Sequence, residues 1–276
     1  MPFPCDGNYS KEDILNQRLE SYNYKNGSGG GTSVPTSLQI LNALEKQIDG
    51  TKLDPCPKTV LEQLKNATNC DIANILTKLG ANKIYNLNII SGIPPDGTSA
   101  STTRTDPKVK FNYTTTISTD YPDATSLFRA SNILHEVVHA FFMSLNDDKN
   151  TGGGLAVYGE FPVLFQAYFD SKYPPNKMET PNVHHEEMAN LYVDAIAASL
   201  QEYNKANDPN GLVPYQVYSD LAWAGLSEAP VFNEHFKGKE AEKERILNRY
   251  RCESNGSTVE AETPKQQTAA GKPCTK

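Results

Sequence analysis

A chain of 276 residues with 38% hydrophobic and 21% charged residues is long enough for one sizeable core and has an ordinary globular composition. A net charge of −7 gives no surplus of Lys and Arg for nucleic acid or an anionic membrane surface, so neither partner is expected. No run of about 18 apolar residues occurs, so no membrane span is expected either. The start, Met1-Pro2-Phe3-Pro4-Cys5, lacks the charged and apolar regions of a signal peptide and suits a chain that begins after a removed export segment.

Residues 1–50 are polar and include the Gly-rich stretch 26–33, which reads as a flexible linker. Leu38, Ile40, Leu41, Leu44 and Ile48 recur at helical spacing, and short helices are predicted over 59–65 and 71–79. Residues 83–93 turn towards strand and end at Pro94-Pro95-Asp96-Gly97. Over 108–118, Val109, Phe111, Tyr113, Thr115 and Ile117 alternate with polar neighbours, the pattern of a strand with one buried face. A long helix is predicted from 122–123 to about 145, then a Gly-rich loop over 146–154, then helices over 161–169, 183–203 and 215–226. Residues 51–250 form the main domain, and 251–276, rich in Thr, Lys, Gln, Gly and Pro, reads as a disordered tail.

Five cysteines, Cys5, Cys56, Cys70, Cys252 and Cys274, are too scattered for a zinc ribbon or a redox pair. Cys56 and Cys70 flank one short helix, and either a disulfide between them or two buried thiols fits that spacing.

The chemistry lies in His135-Glu136-Val137-Val138-His139. Two histidines one helical turn apart project from the same face and can take two positions on one tetrahedral zinc ion. Glu136 is rotated by about 100° from His135, close enough to reach a metal-bound water as general base without being a ligand. Two imidazoles and a carboxylate on an otherwise apolar helix would be costly without a partner, which favours metal binding over a structural role.

A catalytic zinc takes a third protein ligand and leaves a fourth position to water. The metzincin pattern is missing, because Leu145 stands where a third histidine would be and Phe142 where its glycine would be. On the 183–203 helix, the stripe of Met188, Leu191, Tyr192, Ala195, Ile196 and Leu200 points about 40° from His185 and roughly 65° from His184. His185 therefore ranks first as third ligand. Glu160, about twenty residues after the motif at the separation thermolysin-like gluzincins use but without their following aspartate, ranks next, ahead of His184, Glu186 and Glu187. Tyr158, Tyr192 and Tyr218 are candidate oxyanion donors that also suit plain packing, Trp223 reads as core, and His235 reads as a surface residue.

Cys56-Pro57 before Val60-Leu61-Glu62-Gln63-Leu64-Lys65, the segment Ile133-Leu134-His135-Glu136-Val137-Val138-His139-Ala140, His185-Glu186-Glu187-Met188-Ala189, and Leu221-Ala222-Trp223-Ala224-Gly225-Leu226 together resemble a family of uncharacterised bacterial zincin-like metallopeptidase domains, often exported. The resemblance covers residues 54–226, and its His-x-x-Met-Ala element supports His185 as ligand. It implies an α+β zincin-like fold, with a small, mostly antiparallel sheet packed on the active-site helix and a mainly helical C-terminal half. Zn2+ would be held by His135, His139 and His185, with Glu136 catalytic. The expected activity is hydrolysis of a peptide or protein substrate, in a secreted or cell-surface protein, with an extended substrate pairing to the edge of the 108–118 strand. The competing expectation is a non-catalytic, zinc-containing binding module at a bacterial surface.

Overall fold

The structure, a computed structural model, describes residues 45–66, 85–95, 97–149, 181–259 and 265–274 together with 43, 72, 75 and 76, giving backbone alone at 146, 148, 149 and 181–188. The predicted linker at 26–33, the helix at 161–169, Tyr158, Glu160, Cys5 and Cys70 lie outside these residues.

The described elements are β1 (Ile48–Lys52), α1 (Pro55–Lys65), β2 (Asn86–Gly92), β3 (Ala100–Arg104), β4 (Asn112–Ser118), α2 (Ser126–Lys149), α3 (Pro181–Asn207), α4 (Tyr215–Ala224), α5 (Pro230–His235), α6 (Glu240–Asn255), β5 (Thr258–Val259) and β6 (Gln267–Thr268). The protein is α+β, with a small mixed sheet and six helices among the described residues. The main sheet has the order β1-β2-β4-β3. It is not mostly antiparallel: β1 and β4 both run parallel to β2, and only β3 opposes β4. The chain returns through α1 between β1 and β2, which restores its direction, and only the short 105–111 connection between β3 and β4 makes a hairpin.

Two of these strands were not expected. Ile48, assigned to a helical stripe, begins β1, where Gly50 lies against α1 so closely that a Cβ would stand 2.5 Å from Leu61 Cδ2. The edge strand β3, Ala-Ser-Thr-Thr-Arg, buries only Ala100 and Thr102 and has no apolar alternation to announce it. With β3 on one side and β2 on the other, the 108–118 segment has no open edge, so the expected edge is not there; β3 is the edge strand on that side among the described residues.

Strand β4 begins later than predicted because Phe111 turns at φ 56°, a left-handed conformation unfavourable for a bulky residue. Its N–H donates to Asp147 Oδ2 at 3.0 Å, and its carbonyl accepts from Asn86 N at 2.9 Å, so the turn is bonded on both sides. Asp147 also accepts from the Tyr113 hydroxyl at 2.6 Å and from Arg104, tying the C-terminal end of α2 to β3 and β4.

Helix α2 is the centre of the molecule, apolar around most of its circumference, and it packs against α1, β3, β4, α3, α4 and α6. It starts at Ser126 rather than 122–123 because Thr125 is its cap: the Thr125 hydroxyl accepts from Phe128 N at 3.2 Å and donates to Glu253 Oε2 at 2.6 Å. Helices α3, α4 and α6 pack together, with Arg245 of α6 bonding both carboxylate oxygens of Asp220 of α4 at 2.8 and 2.9 Å.

The segment read as a disordered tail is built into the fold over most of its length. Residues 251–255 complete α6, β5 pairs antiparallel with β6, and Cys274 forms a disulfide with Cys56, so the Cys56–Cys70 alternative does not hold. Glu253 accepts from Ala270 N, Gly271 N and Arg249 as well as Thr125, and Lys272 O accepts from Ser126 N at 2.8 Å, satisfying an orphan donor of the first turn of α2. Polar bonds and a covalent tie order this segment, which is why its composition misleads. Cys252 is a buried free thiol. No described helix is long and apolar enough to cross a membrane.

Candidate active site

The segment Ile133 to Phe142 buries nearly every side chain, and the same helical register turns His135 and Glu136 into a cavity of about 250 Å3. The cavity opens between α2, the residues leading into β3, α3 and α4, with Asn132, Tyr192, Gly225 and Glu228 also in its wall. His139, 7% exposed, lies beside Glu136, with its Nδ1 3.4 Å from Glu136 Oε2. The two imidazoles are 6.4 Å apart between ring centres, inclined at 70°.

Glu136 is 4% exposed and is held by the sheet as well as by its own helix. Thr102 of β3 donates its hydroxyl hydrogen to Glu136 Oε2 at 2.6 Å. Thr115, its cross-strand partner on β4, lies 2.6 Å from the Thr102 oxygen and is the donor there, because Thr102 has given its one hydrogen away. Burial raises the Glu136 pKa, but the bonds and charges of His139, His135 and Thr102 outweigh it and hold the carboxyl below its ordinary range. Glu136 is therefore ionised at neutral pH.

Burial pushes the His135 imidazole down to about 4, with Glu136 opposing the shift and His139 adding to it. His135 is neutral at pH 7, the form a metal ion requires. Its Nδ1 lies 2.8 Å from the hydroxyl of Tyr192 on α3, whose own pKa burial drives upward. Gly225, just past α4, completes this contact: a Cβ there would stand 2.9 Å from both His135 Nδ1 and the Tyr192 oxygen.

His135, Glu136 and His139 thus come together as expected from their spacing. His184, His185, Glu186 and Glu187 lie in the first turns of α3, and their side chains are outside the described residues. On that helix His185 is seven residues before Tyr192, two turns away on the same stripe. Among the described residues no group of three His, Cys, Asp or Glu side chains is arranged to hold a metal ion. The donors present, a neutral buried imidazole with its Nδ1 already bonded, a second imidazole one turn on and an ionised carboxylate, are of the kind a zinc site uses.

Of the tyrosines considered as oxyanion donors, Tyr192 is engaged by His135, and Tyr218 accepts from Asn204 Nδ2 at 3.0 Å away from the cavity wall. His235 is on α5 and stacks on Trp223 at 4.5 Å rather than standing free at the surface. Thr102, Gly225 and Asn132 were not singled out from the sequence as site residues; only the placing of β3, α4 and the cavity reveals them. Comparison of the chain with protein-family models, curated proteins and solved structures gives no match.

Proposed function

We propose that this protein is a zinc-dependent peptidase of the zincin type, hydrolysing peptide bonds with Glu136 as general base. The observation that carries the reading is the carboxylate of Glu136, kept ionised on the wall of a cavity that His135 also lines, with the His139 imidazole 3.4 Å away from it.

His135, His139 and His185 would hold the zinc ion. When bound, it supplies an activated water at neutral pH and Lewis-acid polarisation of the substrate carbonyl. With Nε2 of His135 reserved as ligand, its Nδ1 carries the proton and donates to the Tyr192 oxygen, which sets both tautomer and ring orientation. Glu136 Oε2 is occupied by Thr102, so Oε1 takes the proton from the attacking water and returns it to the leaving amine. Strand β3, bonded to β4 on one side only among the described residues, offers its other edge to an extended substrate, which would lie past Ala100 at the cavity mouth. The Cys56–Cys274 disulfide supports a secreted or cell-surface location, where an oxidising environment preserves such bonds.

Substitution Glu136→Gln tests the assignment. The variant is expected to keep its zinc and lose at least about a hundredfold in peptide hydrolysis. Undiminished hydrolysis, or a wild-type protein that takes up no zinc, overturns it; a zinc-bound wild type that cleaves no peptide favours a binding module.

A further inference from the structure

Asn132 stands one turn before the motif, three residues from His135 and four from Glu136, so the three side chains share a face within about 100° of rotation. It is 7% exposed and lines the same cavity, and its Nδ2 is buried with no hydrogen-bond partner among the described residues. Its neighbour Ser131 is in a different position, because that hydroxyl is spent on Phe128 O at 2.9 Å. A buried amide donor without an acceptor is unfavourable, and a leucine of nearly the same volume would fill the site without that cost. The cavity also has apolar wall from Ile196, Leu221 and Leu247, with Glu228 exposed at its rim.

We propose that Asn132 determines specificity in the cleft, its Nδ2 donating to the side-chain carbonyl oxygen of a Gln or Asn residue next to the scissile bond. This rests on the peptidase reading above. Only a group with an acceptor oxygen satisfies Nδ2; Leu or Met leaves it unpaired, and Lys or Arg brings donors alone. An acidic side chain brings acceptors but also a charge, into a cavity already walled by Glu136 and Glu228. The hydroxyls of Ser, Thr and Tyr are neutral acceptors as well, but a carboxamide meets both conditions with a carbonyl oxygen that has no hydrogen of its own to place.

The test compares cleavage profiles of the full-length zinc-loaded protein, Asn132→Leu and Asn132→Asp on one synthetic peptide mixture varied at the positions flanking a cleaved bond, with zinc content and thermal unfolding measured for each. The wild type is expected to prefer Gln or Asn over Leu and Met at one flanking position by about tenfold to a hundredfold. Asn132→Leu reverses that preference, and Asn132→Asp moves it towards Lys and Arg, with zinc content unchanged. A wild type that cleaves without a carboxamide preference, or an Asn132→Leu variant slowed equally on all peptides, overturns the role of Asn132 and leaves the peptidase reading intact. Zinc-bound wild type that cleaves nothing overturns both.

Discussion

Tyr192 and His135, on different helices, share a 2.8 Å hydrogen bond at the imidazole Nδ1, and the backbone at Gly225 closes over both partners. Neither can retreat easily, since Tyr192 is 1% exposed and His135 stands on α2 between Leu134 and Glu136, 1% and 4% exposed. The contact lies among three separate elements, α2, α3 and the end of α4, so it reports on how they are assembled.

Gly225→Ala is therefore expected to break this hydrogen bond while leaving the fold in place. A Cβ at 2.9 Å from both atoms is too close for either to stay. Losing an outer-shell bond of this kind costs about 10- to 100-fold in metal affinity. Competition titration with a chelator should show that loss in Gly225→Ala and a similar one in Tyr192→Phe. Wild-type affinity in both variants would mean that the bond does not orient a ligand.

Asp147 makes a second prediction, about stability against pH. Its burial opposes ionisation, but Arg104, the Tyr113 hydroxyl and the Phe111 N–H more than compensate and lower its pKa. A carboxyl depressed in the folded state contributes stability that is complete above its unfolded pKa of about 3.9 and is lost as the pH falls through the lower, folded value. Asp147→Asn is expected to cost about 3 kcal/mol at pH 7, because the buried ion pair of Arg104 with Asp147 is broken and the strained turn at Phe111 loses a charged acceptor. In denaturant unfolding the gap between variant and wild type should narrow as the pH is taken below about 4. A gap constant from pH 7 to pH 3 would assign the effect to shape alone.

The Cys56–Cys274 disulfide spans 218 residues of sequence and fastens the tail to α1. Cross-linking so distant a pair is worth about 5 kcal/mol in the unfolded-chain account. Cys274→Ser is expected to lower the unfolding temperature by about 10 °C, and reductant should lower the wild type similarly while leaving the variant unchanged. Equal melting of wild type with and without reductant, after the thiols are shown to be free, would contradict this.

How far the sequence could be read depends on where each signal resides. The relation of His135, Glu136 and His139 is local, set by helical spacing, and the alternation around Tyr113 and Ile117 is equally local, so both survive in the structure. Strand β3 is held by backbone pairing and by a Thr102–Thr115 contact between strands, neither visible in five small and polar residues. Ile48 fits a helical stripe by spacing alone, but pairing with Leu87 makes it a strand residue. Residues 265–274 are ordered by Glu253 and Cys56, from far away in sequence. The orphan amide of Asn132 exists only once its neighbours are in place.

For the proposed zinc site the third ligand is the remaining link between motif and mechanism, and the helical phase of α3 bears on the choice. Tyr192 meets His135, so the stripe of α3 that contains Tyr192 faces the motif helix. His185 is seven residues earlier, a rotation of about 700° and hence within about 20° of the same stripe, whereas His184, Glu186 and Glu187 are displaced by about 80° or more. The rise over seven residues is about 10.5 Å, which places His185 further along the seam between the helices. His185→Ala should then lower zinc affinity by several orders of magnitude and leave substoichiometric metal after dialysis, while His184→Ala retains one zinc per chain. Full zinc content in His185→Ala would move the third position to Glu160 or to another residue, and the helical-stripe argument would fail with it.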